Sequence, residues 1–159
     1  MTTTLLRPTI IRDIVEIRLT TVENDHIGVF YEHQADPLAN EMADFPSRDR
    51  EAHDSHWAKI LAEPANTALT VLADGEVAGN VVAWGAPDRM IGYWIGRDYW
   101  GRGIATEAVR LLISDVETTR PLHAEVVAHN KGSRRVLEKC RFTLAPEPAS
   151  DGALAYILT

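Results

Sequence analysis

Residues 89–116, RMIGYWIGRDYWGRGIATEAVRLLISDV, restrict the folds open to this chain more than any other stretch. An apolar, aromatic run of strand length occupies 90–95. Residues 96–103 are turn-like, and a helical pattern takes over at Ile104. Apolar residues at Ile104, Ala105, Ala108, Leu111, Leu112 and Val116 then fall on one helical face. A strand therefore feeds a glycine-bearing turn, Gly101-Arg102-Gly103, and the turn feeds a helix N-terminus. The first turn of a helix has about four N–H groups without internal partners, and the helix dipole places partial positive charge there. Small residues such as Ala105 and Thr106 let an anion approach that backbone, and Arg102 adds a formal charge. Two readings stay open on these residues alone: an ordinary tight turn, or a cradle for a diphosphate. The turn has no lysine, as a G-x-x-x-x-G-K-S/T loop requires. Thr106 stands where a G-x-G-x-x-G fingerprint has its third glycine.

A chain of 159 residues is expected to be one domain with room for a real core, residues 1–12 forming an N-terminal extension. Net charge of −7 and a pI of about 5.3 argue against a nucleic-acid partner and suit a cationic substrate better. No run approaches the ~18–20 apolar residues of a membrane span, and the opening MTTTLLRPTIIRD lacks a signal-peptide core. The single cysteine, Cys140, excludes an internal disulfide and fits a reducing cytoplasm. His53 and His56 stand at i, i+3 in a helical pattern. With no cysteine beside them, no H-E-x-x-H and no clear third ligand, no metal is expected.

Residues 14–20, IVEIRLT, alternate as a half-buried strand does. Thr21 or Asn24 caps a helix to about residue 35, with Ile27, Phe30 and Tyr31 on one side. Residues 36–46 contain Pro37 and Pro46 and read as loop. A second helix starts at Ser47, carries Trp57, Ile60 and Leu61 on one stripe, and ends at Pro64. The period then becomes strand-like. Runs 67–73 and 76–84 are joined by Asp74-Gly75, a hairpin signal, and a further turn at 85–88 leads into the 90–95 strand. These three strands are expected as an antiparallel meander. A helix over about 103–118, a strand over 122–128, a helix over 131–140 and a strand pair, 142–145 and 153–158, complete the chain.

Residues 122–142, LHAEVVAHNKGSRRVLEKCRF, form a second strand-to-helix junction, and Asn130 and Ser133 have the spacing of an N-cap pair for its helix. The run Tyr99-Trp100-Gly101-Arg102-Gly103-Ile104-Ala105-Thr106-Glu107-Ala108 is followed by Asn130, Ser133, Val136, Leu137, Glu138, Lys139 and Phe142. Together they resemble the Y-W-G-x-G-x-A-T-E-A and N-x-x-S-x-x-V-L-E-K-x-G-F pattern of the GNAT acyl-CoA N-acyltransferases, in the branch of the ribosomal-protein N-terminal acetyltransferases. Gly103 and Ala105 match the last two positions of the family's Q/R-x-x-G-x-G/A phosphate motif. Trp100 stands at its first position, and Arg141 stands where the family has a glycine.

The resemblance implies a mixed α/β fold: a single GNAT-like domain with a central twisted mixed sheet. Its N-terminal strands would form an antiparallel meander, a splayed parallel strand pair would mark the CoA site, and about four helices would cover the sheet. It implies acetyl-CoA, or another short acyl-CoA, as co-substrate. Trp94 and Ile95 would offer main-chain hydrogen bonds to pantetheine, and the backbone of Gly101, Arg102, Gly103, Ile104, Ala105 and Thr106 would hold the diphosphate. Asn130 would bond the pantetheine arm, with Ser133 close to the thioester sulfur. Splayed strands expose unpaired backbone groups that can receive the two pantetheine amides.

The implied reaction is direct attack of a neutral amine, on a small molecule or a peptide N-terminus, on the thioester within a ternary complex. It needs a base, donors for the oxyanion and an acid for the thiolate. Many relatives use a tyrosine five positions before the final Phe as that acid, and here the position is Leu137. Ser133 is the candidate acid. Base candidates are Glu125, His129, Glu32 and His33, or a relayed water. Cys140, late in a helix, reads as an inert thiol. The acceptor would be lined by the first two helices and by residues 36–46 and 146–152. A CoA-binding module with weak or no catalysis is the alternative reading. Neither nucleic acid nor membrane is expected as a partner, and a homodimer is left open.

Overall fold

The computed structural model describes residues 9–11 and 15–159. Its elements run β1 (Thr9–Ile11), β2 (Val15–Thr21), α1 (Asn24–Gln34), α2 (Pro37–Ala43), α3 (Arg50–Ala62), β3 (Thr67–Ala73), β4 (Glu76–Trp84) and β5 (Arg89–Ile95). After a short 3-10 turn at Arg97–Tyr99 come α4 (Ile104–Leu111), β6 (Leu122–Val126), α5 (Lys131–Lys139), β7 (Thr143–Leu144) and β8 (Leu154–Leu158). The strands form one mixed sheet in the order β1-β2-β3-β4-β5-β6-β8-β7. The β3-β4-β5 meander is antiparallel as its short turns require. Asp74 and Gly75 both take positive φ, 50° and 81°, which is the left-handed pair that a two-residue hairpin turn needs.

Two layers cover the sheet. On one face α4 and α5 pack over β2–β6, and Ile17, Leu19, Val71, Val81, Ile91, Ile104, Ala108, Leu112, Leu122, Leu137 and Tyr156 are all buried there. Each large aliphatic side chain buried in this way contributes about 1.5–3 kcal/mol. The opposite face is covered by α1 and α3, whose Phe30 and Trp57 rings meet at 4.8 Å between centroids. His26 reaches from α1 into the sheet, its Nδ1 lying 2.8 Å from the Thr70 hydroxyl.

Several boundaries differ from the sequence reading. Residues 36–46 are not all loop: they contain α2, which raises the helix count to five α-helices among the described residues. Asp36 caps α2 by accepting the Leu38 N–H, and Pro37 opens it, because proline lacks only an N–H that no helical partner would take. Helix α3 begins at Arg50, capped by Asp49, rather than at Ser47. On it Trp57 is buried but Leu61 is 45% exposed, so the expected stripe is narrower. The helix expected over 103–118 is α-helical only to Leu111, and Leu112–Val116 form a π turn. The Arg120 guanidinium closes that turn by donating to the carbonyls of Ile113 at 2.8 Å and Glu117 at 3.1 Å. The strand read as 122–128 ends at Val126, and the terminal pair shrinks to β7 and β8. The expected extension over residues 1–12 lies outside the described residues except for β1, as does Ile14 at the start of the first expected strand. No helix among the described residues is long and apolar enough to cross a membrane.

Candidate active site

Strands β5 and β6 run parallel but pair only at their first residues, Arg89 with Leu122 and Met90 with His123. Beyond that point β5 stays on β4 as far as Ile95, and β6 stays on β8 as far as Val126. The two strands therefore diverge and leave a wedge between them. The strand beside β5, β4, is irregular at this level. Val71 faces Gly79 but the next residue, Leu72, faces Val77, so Ala78 is an inserted, bulged residue. Its carbonyl accepts the Gly96 N–H at 2.8 Å and ties down the end of β5. A Cβ on Gly79 would overlap the Trp94 carbonyl oxygen, so only glycine permits this approach.

A cleft of about 470 Å³ opens from the wedge. At one end stand Gly101, Gly103, Ile104, Ala105 and Thr106, at the other Tyr93, Asn130 and Ser133, with Ala39, Met42 and Ala43 of α2 along its edge. Gly101 and Gly103 take positive φ, 75° and 77°, which bends the chain sharply into α4. The first helical bond there is Glu107 N–H to the Gly103 carbonyl, 3.1 Å, so the preceding amides of the turn lie ahead of the helical ladder at the positive end of the dipole. The Arg102 guanidinium lies 6.0 Å from the Tyr99 ring centroid, and Arg102 is not among the residues that line the cleft. Arg135 and Lys139, one turn apart on α5, add two cations to the cleft wall. Such a site suits an anion at one end and a polar, extended chain beyond it.

Trp94 and Ile95 both line the cleft, with their main-chain groups pointing in different directions. The Trp94 carbonyl lies on the β4 side, against Gly79. The Ile95 carbonyl already accepts the Trp100 indole N–H at 2.8 Å. The Trp94 side chain turns to the α1–α2 face, where its indole N–H donates to the His33 carbonyl at 3.3 Å and its ring meets Phe45. Asn130 caps α5, its Oδ1 accepting the Ser133 N–H at 3.1 Å. The capping reading thus holds, and it places Ser133 in the first turn of α5 at the mouth of the wedge.

The base candidates are separated. Parallel pairing of Met90 with His123 puts His123 and Glu125 on the same sheet face as Met90, Gly92 and Trp94. Glu125 is exposed there, just past the last paired residues. His129 is engaged elsewhere, its Nε2 3.0 Å from the Glu41 carbonyl, linking α2 to the β6–α5 loop. Glu32 and His33 line a separate cavity of about 690 Å³ with Gly96, Arg97 and Asp98. Burial there lowers the pKa of His33 below its usual value, against the pull of Glu32 and Asp98.

Leu137, at the position of the family's tyrosine, is buried in the core. A hydroxyl nevertheless reaches the site from another element. Tyr93, in the aromatic strand run at 90–95, sends its Oη to within 2.6 Å of Ser133 Oγ and donates to the Ser133 carbonyl at 3.1 Å. No local pattern signals that contact, since the residues lie on β5 and α5. Arg135 was likewise unmarked and Lys139 entered only as a motif position, although their i, i+4 spacing on a helix leaving the Asn130 junction is a usable signal.

Comparisons with known proteins agree with this geometry. A segment of 56 residues is 46% identical to YjcK of Bacillus subtilis (strain 168), described as a probable N-acetyltransferase. That match covers 33% of this chain and 31% of the relative, so the chain spans under a third of that protein's length. The fold superposes on an acetyltransferase from Agrobacterium tumefaciens str. C58 with a TM-score of 0.79 at 19% identity, covering 99% of this chain and 96% of the other. RimJ of Mycobacterium smegmatis, solved in complex with CoA-disulfide, gives 0.70 at 22% identity over 91% of this chain and 82% of its own. The profile of the acetyltransferase (GNAT) domain matches residues 16–143, and the chain belongs to that family.

Proposed function

We propose that this protein transfers the acetyl group of acetyl-CoA to a primary amine, directly, within a ternary complex. The observation that carries the reading is the β5–β6 wedge, which opens into a cleft running from the α4 N-terminus to Ser133. The glycine turn and the amides ahead of α4 would hold the diphosphate, with Arg102, Arg135 and Lys139 supplying charge. Main-chain groups of β5 left without a β6 partner would receive the pantetheine amides. Ile95 is better directed for this than Trp94, whose carbonyl faces β4. Bound there, acetyl-CoA would supply an activated thioester. The RimJ complex with CoA-disulfide supports a coenzyme of this class.

The amine would come from the α1–α2 face, past Phe45, Trp94 and the exposed Glu125. Glu125 would take the proton released as nitrogen bonds to the acyl carbon. As the C–S bond breaks, its electron pair goes to sulfur, and Ser133 would donate a hydrogen bond to it. The nitrogen's proton ends on the thiol through solvent. An overall charge of −7 favours cationic acceptors, a small-molecule amine or a peptide N-terminus among them.

Free-thiol release from acetyl-CoA, measured across a panel of small amines and basic peptides, tests the proposal. Stoichiometric thiol and acetylated amine are expected with at least one acceptor class. Tight acetyl-CoA binding with no acetylated product from any amine would leave only a CoA-binding module.

A further inference from the structure

Tyr93 and Ser133 are held together at three points. The Ser133 N–H is taken by Asn130 Oδ1, the Ser133 carbonyl accepts the Tyr93 O–H at 3.1 Å, and the two hydroxyl oxygens are 2.6 Å apart. A contact of 2.6 Å is at the short end for O–H···O bonding, so one hydroxyl must donate to the other. The serine hydroxyl and the phenol each own one proton. While the phenol donates to the Ser133 carbonyl, the serine donates to the phenol and its proton is spent. If the phenol turns its proton from the carbonyl to Ser133 Oγ, the serine proton is free to point into the cleft that both residues line. A sulfur bound there, gaining negative charge, favours the second arrangement, because it adds a hydrogen bond to an ionised acceptor.

We propose that Tyr93 is a positioning residue for the leaving group: its hydroxyl donates to Ser133 Oγ and turns the Ser133 O–H toward the departing sulfur. The inference rests on the acetyl-CoA reading above and deepens it. Tyr93 needs no contact with substrate and gives up no proton. It is partly buried and packed against the core, and burial pushes its phenol well above the ordinary value. An alkyl thiol ionises near ~8.5, so net transfer from this phenol to a thiolate would run uphill. The proton stays on Tyr93 as a permanent donor, and the thiolate collects its own from water. The position left empty by Leu137 is thereby served by a hydroxyl pair built from two other elements.

The test uses Tyr93→Phe, which keeps the ring and deletes the hydroxyl, alongside Ser133→Ala and the double variant. One readout needs no acceptor. The thiol of bound CoA, followed by its thiolate absorbance, is expected to titrate below free CoA in the wild type. It should return toward the free value in Tyr93→Phe and go no further in the double variant. The second readout is turnover. Tyr93→Phe should lower kcat about tenfold, the effect of one hydrogen bond to a charged group. The dissociation constant for acetyl-CoA should stay within twofold, and the effect should vanish in the Ser133→Ala background. Independent, multiplying effects of the two substitutions, or a bound-thiol titration indifferent to Tyr93, would overturn the proposal. A shifted bound thiol that responds to Tyr93 in a protein that acetylates no amine would sustain it while refuting acetyl transfer. A melting temperature kept in Tyr93→Phe excludes unfolding as the cause, and if it falls, the Ser133→Ala titration alone must still show the lost donor.

Discussion

The Trp100 indole N–H donates to the Ile95 carbonyl at 2.8 Å and so bridges the end of β5 to the glycine turn. Trp100 occupies the first position of the Q/R-x-x-G-x-G/A phosphate motif. In this chain its polar atom braces the turn from behind. Trp100→Phe keeps the ring and removes one neutral hydrogen bond, a loss of about 0.5–1.5 kcal/mol. The dissociation constant for acetyl-CoA, read by calorimetry, is expected to rise by roughly two- to tenfold with the fold intact. Unchanged affinity would show that the turn is rigid without the brace.

Gly103 is the N-cap of α4 and has φ of 77°. In Gly103→Asp the carboxylate would meet the helix dipole favourably and keep the helix, yet occupy and repel a diphosphate. Acetyl-CoA binding should be lost while circular dichroism remains native. Arg102→Ala should weaken binding less, because the backbone donors remain, and the loss should shrink as salt is raised. Micromolar affinity kept in Gly103→Asp would remove the diphosphate from this turn.

Gly79→Ala tests the close approach of β4 to the end of β5 beside the wedge. The new methyl would collide with the Trp94 carbonyl, and backbone cannot rotate aside as a side chain can. Overpacking of this kind costs about 1–3 kcal/mol, and a backbone clash belongs at the upper end. Chemical denaturation should show that loss, together with weaker acetyl-CoA binding as β5 shifts. Gly75→Ala, with nothing near the added carbon but φ of 81°, adds left-handed strain without a collision and so separates the two costs of glycine replacement.

Arg141 has φ of 72° just past α5. Its N–H bonds the Glu138 carbonyl and that of Phe142 bonds Leu137, both at 3.0 Å, the paired closure of a Schellman end. The family's glycine is absent but its backbone geometry is retained, at a cost of about 1–2 kcal/mol for a residue with a Cβ. Arg141→Gly should therefore stabilise the protein by about 0.5–1 kcal/mol, after the extra entropy that glycine loses on folding. A rise in melting temperature of about 1–4 °C is the expected reading. A fall would mean that the Arg141 side chain contributes more than its backbone costs.

Cys140 is buried, its thiol set against the Thr106 carbonyl at 3.5 Å, and burial pushes its pKa up to about 11. At neutral pH it is a thiol and not a nucleophile. Cys140→Ala should keep turnover near normal, and alkylation of the native protein should be slow. Mass spectrometry after incubation with acetyl-CoA alone should find no acetyl adduct on the protein. An adduct on Cys140 or Ser133 that discharges to added amine would replace direct transfer with a two-step route.

The strand–turn–helix unit at 89–116, the Asp74-Gly75 hairpin and the Asn130 cap were legible in the sequence because each is a local event. Side-chain period, left-handed glycine and capping spacing act within a few residues, so they survive without knowledge of the rest of the chain. Helix α2 was written in the same local code, Asp36 followed by Pro37, but seven residues carry too little period to outweigh two prolines. The π turn after Leu111 depends on Arg120 folding back over Ile113, and no periodicity announces such a cap. The site itself was only half written. Gly101, Gly103 and Asn130 declared themselves by backbone demands. Tyr93 meets Ser133 only because β5 and β6 part after Met90 and His123 and α5 packs across the gap. Hydroxyl contacts between elements 40 residues apart are decided by how the sheet splays. That splay is a property of the paired strands together, and no single stretch of sequence holds it.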